Sequence, residues 1–98
     1  MRLGFSPSSD RDLEDIADFI ATDSPARAFT YIDEIRARCF RLLDAPNGGS
    51  PRDDLRQGLR VVPFGNYLIF YRIYPGELRI ERILHGARNL AAIFDNDN

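Results

Sequence analysis

The sequence predicts an α+β domain in the order β-α-α-β-β-β, with a helix hairpin packed on one face of a small, mainly antiparallel sheet. Three observations point there. Ser6-Pro7 and Ser24-Pro25 each open a segment whose apolar residues recur at helical spacing. The second half instead holds short apolar runs separated by Gly- and Pro-containing turns, which is the pattern of strands joined by hairpins. Between them, Pro46-Asn47-Gly48-Gly49-Ser50-Pro51 excludes both helix and central strand.

Taken in order, Arg2 to Phe5 reads as an opening strand. Ser6 is placed to cap free backbone N–H groups, and Pro7 suits the first helical position because it has no N–H to leave unpaired. Asp10, Asp12, Glu14 and Asp15 follow, where the positive end of the helix dipole favours them. Leu13, Ile16, Ala17 and Ile20 form one apolar stripe. After the break at Thr22-Asp23, Ala28, Ile32, Ile35, Cys39 and Leu42 make a second stripe in a helix ending near Asp44. So short a link requires the two helices to run antiparallel. Ala45 to Gly58 reads as one long irregular segment. Leu59 to Pro63, Tyr67 to Tyr74 and Leu78 to His85 then read as three strands, turning at Gly65-Asn66 and Pro75-Gly76. Tyr67 to Tyr74 is apolar on both faces, as a central strand is.

At 98 residues and 44% hydrophobic, the chain is expected to be one soluble domain spanning 1–98. No apolar stretch approaches the roughly 20 residues that span a bilayer, and Met1 to Phe5 turns polar too early for a signal peptide. The lone Cys39 excludes an internal disulfide and fits a reducing compartment, so a cytoplasmic location is expected. Cys39 lies on the buried stripe, which assigns it to packing. Every basic residue is arginine, and that excludes any mechanism needing a lysine base or Schiff base. Residues 1–51 carry a net charge of −3 and residues 52–94 a net charge of +3, with Asp95 and Asp97 beyond. The sheet half is therefore the half suited to an anionic partner, although the excess is too small to establish nucleic-acid binding.

The chemistry-bearing stretch is Arg82-Ile83-Leu84-His85-Gly86-Ala87-Arg88, a strand end emptying into a glycine turn with the only histidine between two arginines. Glu81 lies about 13 Å along the strand from His85, too far to act as its acid–base partner. A hydrogen-bonded turn residue is the alternative role for that histidine. Arg60, Arg72, Arg82 and Arg88 either converge on one anion or pair with Glu77, Glu81, Asp53 and Asp54. Strict alternation puts Arg82 on the face of Leu78 and Ile80, so it is partly buried or a bulge intervenes. Tyr67, Tyr71 and Tyr74 are read as packing residues rather than base-stacking ones, because no RNA-binding motif surrounds them. The sequence has no phosphate loop, metal-ligand spacing or nucleophile elbow, so no cofactor and no metal are expected.

Several stretches together resemble the ParE/RelE superfamily of bacterial type II toxins, and most closely its ParE branch. They are Asp12-Leu13-Glu14-Asp15-Ile16-Ala17-Asp18-Phe19-Ile20, the linker ending Gly58-Leu59-Arg60, Tyr67-Leu68-Ile69-Phe70-Tyr71-Arg72, and Arg82-Ile83-Leu84-His85-Gly86-Ala87-Arg88. The resemblance covers nearly the whole chain. It implies a growth-arresting toxin, of the kind that stabilises plasmids, that poisons DNA gyrase and is neutralised by a ParD-like antitoxin. Operator DNA would then be bound only through the antitoxin. RelE relatives instead cut mRNA on the ribosome with basic residues and a nearby base. The missing lysine and the lack of a base beside His85 favour a toxin that is not an enzyme. Arg60, Arg82 and His85 are the set a nuclease would use, and an inactive relative that only binds antitoxin is a further reading. In ParE-like toxins the C-terminal segment matters for toxicity, which makes Arg88, Leu90, Ile93 and Phe94 the expected target contacts.

Overall fold

The computed structural model describes residues 1–96. Asp97 lies outside the described residues. Five strands and three helices follow in the order β1 (Arg2–Phe5), α1 (Pro7–Ala21), α2 (Pro25–Arg41), β2 (Ser50–Pro51), β3 (Arg60–Phe64), β4 (Tyr67–Tyr74), β5 (Glu77–His85) and α3 (Leu90–Asn96). A single turn of tighter helix, Leu42–Asp44, ends α2. The sheet order is β1-β5-β4-β3-β2, with β1 parallel to β5 and every other pair antiparallel. The α+β class and the mainly antiparallel sheet are as the sequence predicts.

Both helices start where the Ser-Pro pairs place them. Ser6 Oγ accepts from the Ser9 N–H at 3.0 Å, and Ser24 Oγ accepts from the Arg27 N–H at 3.1 Å. Each cap satisfies one of the free donors that every helix start leaves. Leu13, Ile16, Ile35, Cys39 and Leu42 from the hairpin meet Val62, Ile69, Tyr71, Leu78, Ile80 and Ile83 in one core. The hairpins need glycine at Gly65 (φ +56) and Gly76 (φ +75), because other residues pay a steric cost at positive φ.

Three features depart from the linear reading. The segment 45–58 contains β2, a two-residue edge strand pairing Ser50 with Val61 and Pro51 with Arg60. It is short because Pro51 has no N–H for a ladder, and its neighbours are held by side chains instead. The Tyr71 hydroxyl donates to the Pro46 carbonyl at 2.8 Å, and the Gly49 N–H donates to that hydroxyl at 2.9 Å. Second, β5 carries a bulge: Phe70 opposes Arg82 and Tyr71 opposes Ile80, so Glu81 is the extra residue. Third, α3 covers the opposite sheet face, where Leu59, Phe70, Leu84 and Phe94 form a second core. The sheet is therefore sandwiched: the helix hairpin lies on one face, as the sequence predicts, and α3 on the other.

The bulge and burial both apply to Arg82. Strand β1 pairs with β5 only as far as Ile80, so the edge of β5 beyond it faces α1. There the Arg82 Nε and Nη2 donate to Asp12 at 2.8 and 2.9 Å, and the Ile83 N–H donates to the same carboxylate at 2.9 Å. Side-chain exposures of 13% and 8% make this a largely dry pair. Removing one partner of such a pair strands the other charge, so Asp12→Ala is expected to cost roughly 3–5 kcal/mol, measured by denaturant titration.

Burial pushes the Cys39 thiol up from 9.0 to about 12. The unfolded chain ionises near 9 and the folded one resists, so the folded state loses stability as pH rises from 9 towards 12. Wild-type stability should fall more steeply across that window than that of Cys39→Ala. Parallel pH profiles would count against the buried thiol.

Candidate functional site

Strand β5 ends at His85, and the chain turns through Gly86, Ala87, Arg88 and Asn89 into α3. The turn is built locally: the Arg88 N–H donates to the His85 carbonyl at 3.1 Å, and the Gly86 N–H to the Asn66 carbonyl at 2.9 Å. The Asn89 side chain accepts from the Ala92 N–H at 3.2 Å at the start of α3.

The turn opens onto a cleft of about 340 Å³ between α1 and the end of β5, whose lining includes Asp15, Ile16, Phe19, Tyr67, His85 and Arg88. Its floor is apolar, and Phe19 stands 72% exposed in its lining. The polar residues of the lining are His85 and Arg88 together with Asp12 and Asp15 of α1. His85 packs edge-on against Tyr67, with ring centroids 5.5 Å apart. Tyr67 also meets Tyr31 at 6.1 Å; burial and then Tyr67 push the Tyr31 phenol above its ordinary value.

Each of the three residues of the nuclease reading has a local structural partner. Arg60 donates to the carbonyls of Asn47 and Gly49 at 3.1 and 2.7 Å, so it holds the loop before β2. Arg82 is committed to Asp12. The Ala87 N–H donates to His85 Nδ1 at 3.1 Å, the turn role named as the alternative for this histidine. In register, Arg60 opposes Tyr71 while His85 opposes Tyr67, roughly 13 Å apart along β4. Among the described residues, no three His, Cys, Asp or Glu side chains assemble into a metal site.

The C-terminal residues divide by face. Arg88 is exposed. Ala91 and Ala92 are exposed, and Leu90 and Ile93 are half-buried. Phe94 is 2% exposed, its ring edge-on to Phe70 at 5.0 Å, so the sequence-based choice of Phe94 as a contact residue needs correcting to an anchor. Arg56 secures it: the guanidinium lies 5.3 Å from the Phe94 ring centroid and Nη2 donates to the Phe94 carbonyl at 3.3 Å. Arg56 also lies 3.9 Å from Glu81, the bulge residue. Sequence reasoning missed Arg56 because nothing local marks a linker arginine as the lock on a helix nearly forty residues on.

A model of the ParE toxin of the parDE type II toxin–antitoxin system matches residues 3–90, so most of α3 lies beyond the match. Toxin ParE1 of Caulobacter vibrioides is 32% identical over 68 residues, covering 67% of this chain and 68% of that protein. Toxin ParE3 of the same organism is 37% identical over 65 residues, covering 66% of this chain and 65% of its own. A chain from the structure titled "Chromosomal ParDE TA system from P. aeruginosa" superposes with a TM-score of 0.75 at 23% identity, covering 87% of this chain and 95% of that one. At that identity the likeness shows the fold. Among the described residues, no helix is long and apolar enough to cross a membrane.

Truncating Phe94 empties the centre of the second core. Phe94→Ala should therefore cost about 3–5 kcal/mol in chemical denaturation and detach α3, seen as rapid amide exchange over Leu90–Asn96. A loss below about 1 kcal/mol would mean the helix is not anchored there.

Proposed function

Because the chain belongs to the ParE toxin family of type II toxin–antitoxin systems, we propose that it arrests growth by poisoning DNA gyrase and that a ParD-like antitoxin neutralises it. The local engagement of Arg60, Arg82 and His85 supports this reading: Arg60 holds the loop before β2, Arg82 pairs with Asp12, and His85 accepts from the Ala87 N–H. Phosphodiester cleavage needs a base and a charge stabiliser within reach of the same atoms. A toxin that binds and traps needs only a presented surface. In this reading Arg88 with the outer parts of Leu90 and Ile93 is the gyrase contact, and Phe94 fixes the helix that presents them.

The antitoxin is assigned to the helix hairpin. A groove of about 300 Å³ runs between the helices, lined by Ala17, Ala21, Pro25, Ala28, Phe29 and Ile32, with Phe29 77% exposed. Small side chains flanking an exposed aromatic suit the apolar face of an added amphipathic helix. The toxin then works in the cytoplasm, and operator DNA is bound by the antitoxin alone.

Incubation with gyrase, ATP and supercoiled plasmid should accumulate protein-linked linear DNA, and unaffected gyrase would contradict the proposal. Arg88→Glu should lower that product about tenfold while leaving antitoxin affinity unchanged. Phe29→Asp should do the reverse, weakening the antitoxin complex about tenfold and sparing cleavage. Equal effects of both variants on both partners would overturn the assignment of separate surfaces.

A further inference from the structure

Helix α2 carries two stripes with the same spacing. Ala28, Ile32, Ile35 and Cys39 step by four, three and four, and this stripe turns toward the core. One residue further on, Phe29, Asp33, Arg36 and Phe40 step by the same intervals, and all four are exposed. At 3.6 residues per turn they fall within about 60° of arc, so they form one outward row. That is the narrow seam by which paired helices meet. Phe29 is 77% exposed and Phe40 65% exposed, one at each end of the row. Apolar residues scattered singly on a surface need no partner, but two phenylalanines closing one row call for a cover.

The row carries one acid and one base between its rings. Among the described residues, the Asp33 side chain has no ion pair and no hydrogen bond, and Arg36 pairs with no carboxylate. Arg36 lies over the Phe5 ring, 5.4 Å from its centroid. A ring face offers no acceptor for the guanidinium fork, so Arg36 still lacks an anionic partner. The neighbouring charges Arg27 and Glu34 are matched to each other.

Phe29 and Phe40 stand at equal distances from the level midway between residues 34 and 35, and so do Asp33 and Arg36. An antiparallel copy of α2, related by a two-fold axis at that level, sets Phe29 against Phe40 and Asp33 against Arg36, each twice. We propose that the free protein self-associates through this face of α2 as a symmetric dimer. A partner carrying one sign of charge along the row would meet either Asp33 or Arg36 with like charge, whereas a second copy matches both. One helix per side makes a small interface, so the dimer belongs to the weak, transient class. Phe29 also lines the hairpin groove, so a second copy and a helix docked in that groove exclude each other. The proposal depends on neither gyrase nor an antitoxin and is tested on the protein alone.

The test is sedimentation equilibrium of the full-length protein, carried up to roughly 500 µM because contacts of this size are transient. The wild-type mass should rise from monomer toward dimer with concentration. Asp33→Arg puts like charge opposite Arg36, and Arg36→Asp puts like charge opposite Asp33, so each alone should weaken association at least about tenfold. An equimolar mixture of those two variants pairs unlike charges at both contacts and should restore the dimer. Phe40→Asp should abolish association. These positions are exposed, so each variant should keep the wild-type circular dichroism spectrum. A wild type that stays monomeric over that range, a single charge variant that associates as the wild type does, or a mixture that stays monomeric would each overturn the proposal.

Discussion

One carboxylate holds the fold's two halves in register. Asp12 sits on α1 and receives three donors from β5: Nε and Nη2 along one edge of the Arg82 guanidinium, and the Ile83 N–H. Burying an ion pair costs several kcal/mol of desolvation for each charge, so the attraction alone is a weak source of stability. Geometry is what it supplies. A planar fork on a planar carboxylate fixes direction, and the third bond fixes which residue of β5 lies against which turn of α1. It also closes a sheet edge, because β1 stops pairing at Ile80 and would otherwise leave the Ile83 amide open. Ser6 extends the seam, its N–H donating to Ile80 at 2.9 Å and its hydroxyl to Glu81 at 2.7 Å.

That seam lies immediately before the turn carrying His85 and Arg88, so the turn leaves the sheet from a fixed point. On the other face the bulge at Glu81 turns a carboxylate toward Arg56 and Arg72, and Arg56 in turn holds Phe94. The two faces are thereby linked at neighbouring residues of one strand: Glu81 serves α3, and Arg82 serves α1. The cleft, the turn and α3 are arranged around those two positions. The turn after β5 therefore rests on a rigid strand end.

Much of this was legible in the linear chain because its cause is local. Ser-Pro caps, apolar stripes and Gly-containing hairpins each act within a few residues, and all landed where expected. Arg82 marked itself as anomalous by breaking alternation, and the two explanations it allowed both hold. What could not be read is set by distant partners. The parallel seating of β1 beside β5 joins residues some seventy-five positions apart. Strand β2 exists only because Arg60 and Tyr71 hold the loop before it. Phe94 has the composition of a contact residue and is an anchor, because Leu59, Phe70 and Leu84 complete a core that no spacing rule reveals. Arg60 belonged to a plausible cationic set until the carbonyls of Asn47 and Gly49 claimed it.

The claim that Asp12 holds the seam is tested most directly by amide hydrogen exchange at Ile83. If the carboxylate is its lasting acceptor, the Ile83 amide exchanges only through global opening, at the slow rate of the central β4 amides. In Asp12→Ala it should exchange faster than those β4 amides, and the turn from His85 to Asn89 should loosen with it. An Ile83 amide that exchanges within the dead time in the wild type, or stays as protected as β4 in the variant, would contradict the account.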